Sequence, residues 1–170
     1  MEEIIAFAKQ KHEGKFRRLS EVPYIFHPTR VAEILKAMNE SDDIIKAAYL
    51  HDTVEDTDTT IEEISKKFGK KVANLVKELT SDRSAIKKIG KAPYLTNKMN
   101  NMSLEALTIK LADRLDNVSD LNASDIEFTQ KYLKETQYIL EHLKRKLNKN
   151  QQQLYNLILE RVKQLEEFLK

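Results

Sequence analysis

The chain has 170 residues, of which 41% are hydrophobic and 33% charged, enough apolar material for one folded domain and too much for a disordered chain. A formal net charge of +2 gives no global argument for nucleic acid or a membrane surface, and the lack of cysteine excludes disulfides and thiolate metal sites. Three glycines and three prolines supply too few tight turns for a β-rich fold.

The opening MEEIIAFAKQKH starts on acids and has no long apolar run, so it reads as neither a signal nor a transit peptide. No segment approaches the roughly 18 consecutive apolar residues of a bilayer span, and the expected location is the cytoplasm. Ile4, Ile5, Ala8 and His12 predict a first helix closed by Gly14. Val31, Ala32, Ile34, Leu35 and Met38 predict a second, with Pro28 in its first turn. Ser41 caps a third, which carries Ile44, Ala47, Ala48 and Leu50 on through His51 and beyond. Thr59 or Thr60 caps a short fourth helix, and Val72, Leu75, Val76 and Leu79 mark a fifth. Residues 81–102 read as a loop with a single helical turn, a candidate lid or substrate-edge segment. A strong helix restarts at Ser103, and two more span Ile126–Leu147 and Gln151 to the end. The expectation is an all-α fold of about eight helices.

The stretch YLHDTVEDTDTTIEEI gathers His51, Asp52, Glu55 and Asp56 within two turns. Four ionisable groups so close repel one another and are costly to desolvate, so a cation is expected among them. Glu55 follows His51 by four residues and Asp56 follows Asp52 by four, which gives them one broad helix face. His27, at a loop-to-helix junction, and Asp113, inside the apolar run TIKLADRLDN, are candidate further ligands. Two imidazoles and two carboxylates suit Mn, Fe, Zn or Mg. Blander readings stay open: a satisfied core histidine at His27, a solvated acidic helix end at Glu55 and Asp56, and a salt bridge from Asp113 to Lys110 or Arg114. His12 and His142 have no acidic partner motif and read as structural or surface groups.

The order His, His-Asp, Asp resembles the HD superfamily of metal-dependent phosphohydrolases. GKFRRLSEVPYIFHPTRVAEIL (14–35), AAYLHDTVEDTDTTIEEISKKFGKKVANLVKELTSD (47–82), IKLADRLDNVSDL (109–121) and the opening AFAKQKH resemble, more narrowly, the hydrolase domain of RelA/SpoT-type enzymes and the small alarmone hydrolases. The resemblance covers most of residues 5–122, which would form a single HD-domain helical bundle, with 123–170 as a helical extension packed on that core. It implies Mn2+ bound by His27, His51, Asp52 and Asp113, with other divalent metals as substitutes. Glu55 and Asp56 match the pair that orients or deprotonates the attacking water. Arg18 and Asn117 match nucleotide-contacting positions, and Lys110 and Arg114 are cations expected near the phosphates or in structural pairs.

The implied reaction removes the 3′-pyrophosphate of guanosine tetra- or pentaphosphate, giving pyrophosphate plus GDP or GTP. Departures at Leu19, Asp116 and Asp120 touch base and ribose recognition rather than the metal. Nothing like a synthetase follows residue 122. Two alternatives remain: an HD phosphatase for another nucleotide such as NADPH, and a catalytically silent sensor that signals through the tail. Leu133, Ile139, Leu140, Leu143 and Leu147 have core-like spacing, and the tail has three open uses: covering the core, forming a homo-oligomer, or docking another protein.

Overall fold

Helical periodicity along nearly the whole chain is realised in a computed structural model that describes residues 1–18 and 20–170. The described residues form α-helices, one 3-10 turn and an isolated bridge between Phe16 and Pro23. Leu19 lies outside the described residues. The chain divides into two compact units, Met1–Ser81 with Ser103–Ile109, and Asp82–Met102 with Lys110–Lys170. Neither unit ends at residue 122.

The first unit holds α1 (Glu2–Lys11), α2 (Phe26–Ala37), α3 (Asp42–Leu50), α4 (Thr53–Asp56), α5 (Ile61–Phe68) and α6 (Lys70–Leu79). Helix α3 is its hub and packs against α1, α2 and α6. Its buried Ile44, Ile45, Tyr49 and Leu50 fill the core, and the small side chains of Ala47 and Ala48 let neighbouring helices come close. Of the two candidate caps, Thr60 caps α5 by accepting from the Glu63 N–H at 3.1 Å, while Thr59 bonds the Thr57 hydroxyl at 2.7 Å. Gly69, at φ 94°, ends α5 and opens α6 in a conformation that side chains strongly disfavour. Residues 15–17 and 22–24 run antiparallel, joined by Tyr24 N–H to Lys15 O at 2.8 Å and Arg17 N–H to Val22 O at 2.9 Å.

The expected uninterrupted helix through His51 does not form. Helix α3 closes at Leu50 and α4 opens at Thr53, so His51 and Asp52 occupy the turn between them. Their backbone angles stay in the right-handed region, and Thr53 Oγ1 donates to the Leu50 carbonyl at 2.7 Å, tightening the turn.

The second unit holds α7 (Arg83–Ile89), α8 (Lys91–Asn101), residues 110–120 of α9 (Leu104–Asp120), a 3-10 turn (Ala123–Asp125), α10 (Ile126–His142) and α11 (Lys149–Phe168). Helices α7 and α8 replace the loop expected over 81–102. Asp82 caps α7 through the Ser84 and Ala85 N–H groups, and Pro93 stands in the first turn of α8, where its missing donor costs nothing. Helix α8 packs on α10, with Leu95, Thr96 and Met99 buried.

Helix α10 also stops at His142, short of the expected Leu147. Arg145 donates to the carbonyls of Met99 at 3.0 Å and Met102 at 2.5 Å, and Asn100 bonds the backbone of residues 142 and 144. These bonds hold 143–147 as a loop, so Leu133, Ile139 and Leu140 are buried while Leu143 and Leu147 are only half-buried. Helix α11 starts with a capping box between Asn148 and Gln151. No helix among the described residues is long and apolar enough to cross a membrane.

Candidate active site

The α3–α4 turn and the entry to α2 bring three of the expected ligands together within the first unit. Pro28 fixes the backbone beside His27, whose ring is 1% exposed, and His51 is 2% exposed. Both imidazoles face one carboxylate oxygen: His27 Nε2 lies 3.5 Å and His51 Nε2 3.0 Å from Asp52 Oδ2. The two rings meet edge to face at 5.1 Å. His51 Nδ1 lies 2.7 Å from the Ala48 carbonyl, which can only accept, so this nitrogen carries the proton. In the neutral ring Nε2 then has only a lone pair, turned toward an anionic oxygen. That arrangement calls for a positive charge, either a second proton on a buried ring or a cation shared by the donors. A ring nitrogen fixed by a backbone carbonyl on its far side is the usual preparation of a histidine for metal. The nitrogen and oxygen donors therefore fit a divalent cation.

Two neighbours complete this cluster: Tyr24, which the sequence did not single out, and His12, which it read as structural or surface. Tyr24, three residues before His27, donates its hydroxyl to Asp52 Oδ2 at 2.7 Å. His12 packs on the Tyr24 ring with centroids 4.9 Å apart and is 2% exposed. Neither of its ring nitrogens has a hydrogen-bond partner among the described residues. Burial pushes its pKa down to about 4, partly opposed by Asp52. The sequence signal was present: His12 continues the i, i+4 apolar row of Ile4 and Ala8.

Glu55 and Asp56 lie on α4, directly after the His-Asp turn. Glu55 Oε2 accepts from the Ser81 N–H at 3.0 Å. Lys15 Nζ donates to the Asp56 carbonyl, and Thr57 Oγ1 donates to the Thr53 carbonyl at 2.6 Å. The short helix that carries both carboxylates is thus tied down at both ends. Arg18 is exposed, directly after Arg17.

The remaining expected residues come together on α9 in the second unit. Asp113 is 6% exposed, and its carboxylate has the partners its burial requires. Lys110 Nζ donates to Oδ2 at 2.8 Å, and Asn117 Nδ2 donates to Oδ1 at 2.6 Å. Arg114 turns elsewhere: it pairs with Glu135 Oε1 at 2.8 Å and stacks 4.6 Å from the centroid of Tyr132. Burial alone would lower the guanidinium's pKa, but Tyr132 and Glu135 outweigh it and raise it. Burial likewise pushes the Tyr132 hydroxyl up to about 12. Of the two readings open for Arg114, the structural ion pair is the one observed.

A family model described as HD domain matches residues 5–149. Over 150 residues the chain is 41% identical to the guanosine-3′,5′-bis(diphosphate) 3′-pyrophosphohydrolase of Aquifex aeolicus, covering 83% of this chain and 20% of that protein. It is 43% identical to the guanosine-3′,5′-bis(diphosphate) 3′-pyrophosphohydrolase MESH1 of Danio rerio, covering 71% of this chain and 68% of that protein. A solved metazoan ortholog of SpoT, described as hydrolysing ppGpp with a role in starvation responses, superposes with a TM-score of 0.80 at 30% identity. That superposition covers 94% of this chain and 93% of the solved one. The chain spans about a fifth of the Aquifex protein's length and about two thirds of the Danio protein's.

Proposed function

Since the chain belongs to the HD domain family, we propose that it is a metal-dependent hydrolase that removes the 3′-pyrophosphate of guanosine tetra- or pentaphosphate. Water attacks the ribose-proximal phosphorus, the bond from that phosphorus to the ribose 3′ oxygen breaks, that oxygen takes up a proton, and pyrophosphate separates from GDP or GTP. His27, His51 and Asp52 would hold the divalent cation, for which manganese is the leading candidate, and Asp113 is the further ligand that the family resemblance implies. When bound, such a cation offsets the negative charge around phosphorus and makes a nearby water more acidic.

The chain's own residues do the rest. Glu55 and Asp56 accept the water's proton and orient it, a contribution typically worth about 10²–10⁴-fold. Lys110 and Asn117, bonded to the Asp113 carboxylate, fix its direction and compensate its charge. Asn117 and Arg18 are further candidates for contact with the nucleotide. Residues 1–122 form the hydrolase core in this reading, with 123–170 as its extension.

The observation that carries the proposal is the His27–Asp52–His51 cluster, with a lone pair and an anionic oxygen 3.0 Å apart in a buried setting. Substrate choice is tested by turnover of guanosine tetraphosphate and NADPH in parallel, with manganese present. Faster release of pyrophosphate from the guanosine compound supports the proposal. Phosphate release from NADPH alone replaces the substrate while keeping the metal, and tight nucleotide binding without turnover of either indicates a sensor.

A further inference from the structure

We propose that Tyr24 is a positioning residue for the metal centre, holding Asp52 in ligating orientation through its hydroxyl. The inference rests on the reading above in one respect, that Asp52 binds the cation. Tyr24 stands at the end of the 22–24 segment, where its N–H donates to the Lys15 carbonyl at 2.8 Å. Its ring is wedged between two histidine rings, with centroids 4.9 Å from His12 and 5.8 Å from His27. The Arg17 guanidinium lies 5.6 Å from the same ring centroid. Packing of this kind leaves the ring little freedom, so the hydroxyl points in one direction. That direction ends on Asp52 Oδ2, at 2.7 Å, a short bond of the charge-assisted kind.

The carboxylate sits where such a brace has an effect. Asp52 lies in the turn between α3 and α4, outside any helix, and its side chain has two soft torsions. The oxygen that Tyr24 holds is also the one that both imidazoles face. The hydroxyl therefore helps to fix the Asp52 carboxylate relative to the two histidines. Groups that hold a ligand from behind commonly matter ten- to a hundredfold in metal affinity. His12 serves the same arrangement passively, as the wall that keeps the Tyr24 ring in place.

The Tyr24→Phe variant removes the hydroxyl and keeps the ring between its neighbours. Manganese titration of wild type and variant, followed by the electron-paramagnetic-resonance signal of free and bound Mn2+, reads affinity without reference to turnover. The expected result is a dissociation constant raised about ten- to a hundredfold and an altered spectrum of the bound ion, with the metal-free melting temperature close to wild type. A Tyr24→Leu variant, which also removes the ring, is expected to lose affinity and metal-free stability together. Equal affinity in wild type and Tyr24→Phe overturns the role of Tyr24 while leaving the metal centre intact. A wild type that binds no manganese, zinc or iron overturns the metal centre itself, and this assignment with it.

Discussion

His12 gives the fold a specific sensitivity to acid. Its folded pKa is about 4, lowered by burial from an ordinary 6.5, so the unfolded chain takes up the proton first. A depressed folded pKa means that stability is intact above about pH 6.5 and is lost as pH falls toward 4. With those two values, cooling the comparison to a single group, the step from about pH 7 to about pH 4.5 removes roughly 2.5 kcal/mol. His12→Phe abolishes this contribution and leaves every other titrating group in place. Urea denaturation of both proteins at several pH values, with a chelator present so that metal release does not contribute, isolates the effect. The gap in unfolding free energy between them is expected to shift by roughly 2.5 kcal/mol over that range, with wild type losing more. Parallel pH profiles would refute the reasoning, because they would mean that the ring keeps its ordinary pKa in the folded protein.

Four other substitutions test separate parts of the molecule. His51→Ala and Asp113→Ala are each expected to abolish stoichiometric metal binding and turnover, read by elemental analysis and product assay. Glu55→Gln is expected to keep metal bound and lower kcat by about 10²-fold or more, since the amide cannot take the water's proton. Glu135→Ala strands the buried Arg114 guanidinium, and calorimetry or urea melts are expected to show a loss of about 3–5 kcal/mol.

The parts of this molecule that were legible in the sequence are those in which chemistry and periodicity coincide. His51-Asp52 stands out because two ionisable residues follow an apolar helix directly, and Asp113 because it interrupts an apolar run. Their local partners are less visible. Tyr24 before a helix has many possible uses, and only the folded chain aims its hydroxyl at Asp52. Arg114 reads equally well as a phosphate ligand or an ion pair until Glu135, 21 residues on, is brought beside it.

The helices missed over 81–102 have weak individual signals: a lone Asp82 cap, and Leu95 and Met99 separated by polar residues. Their burial against α10 decides the structure, and that contact is not local. The reverse happened after His142, where helical spacing continues through Leu147 but Arg145 and Asn100 draw the backbone into a loop. At His51 the helix breaks although the apolar pattern and the backbone angles run on, because the Thr53 hydroxyl competes for the Leu50 carbonyl.

The central claim, a cation-dependent hydrolysis of a guanosine 3′-pyrophosphate, is tested most directly by one titration. Protein stripped with a chelator is mixed with guanosine tetraphosphate, manganese is added in steps, and the products are separated by anion-exchange chromatography. The account predicts no turnover before manganese, and afterwards pyrophosphate and GDP in equal amounts. Undiminished hydrolysis in the stripped protein, or no hydrolysis at any manganese level, would contradict it.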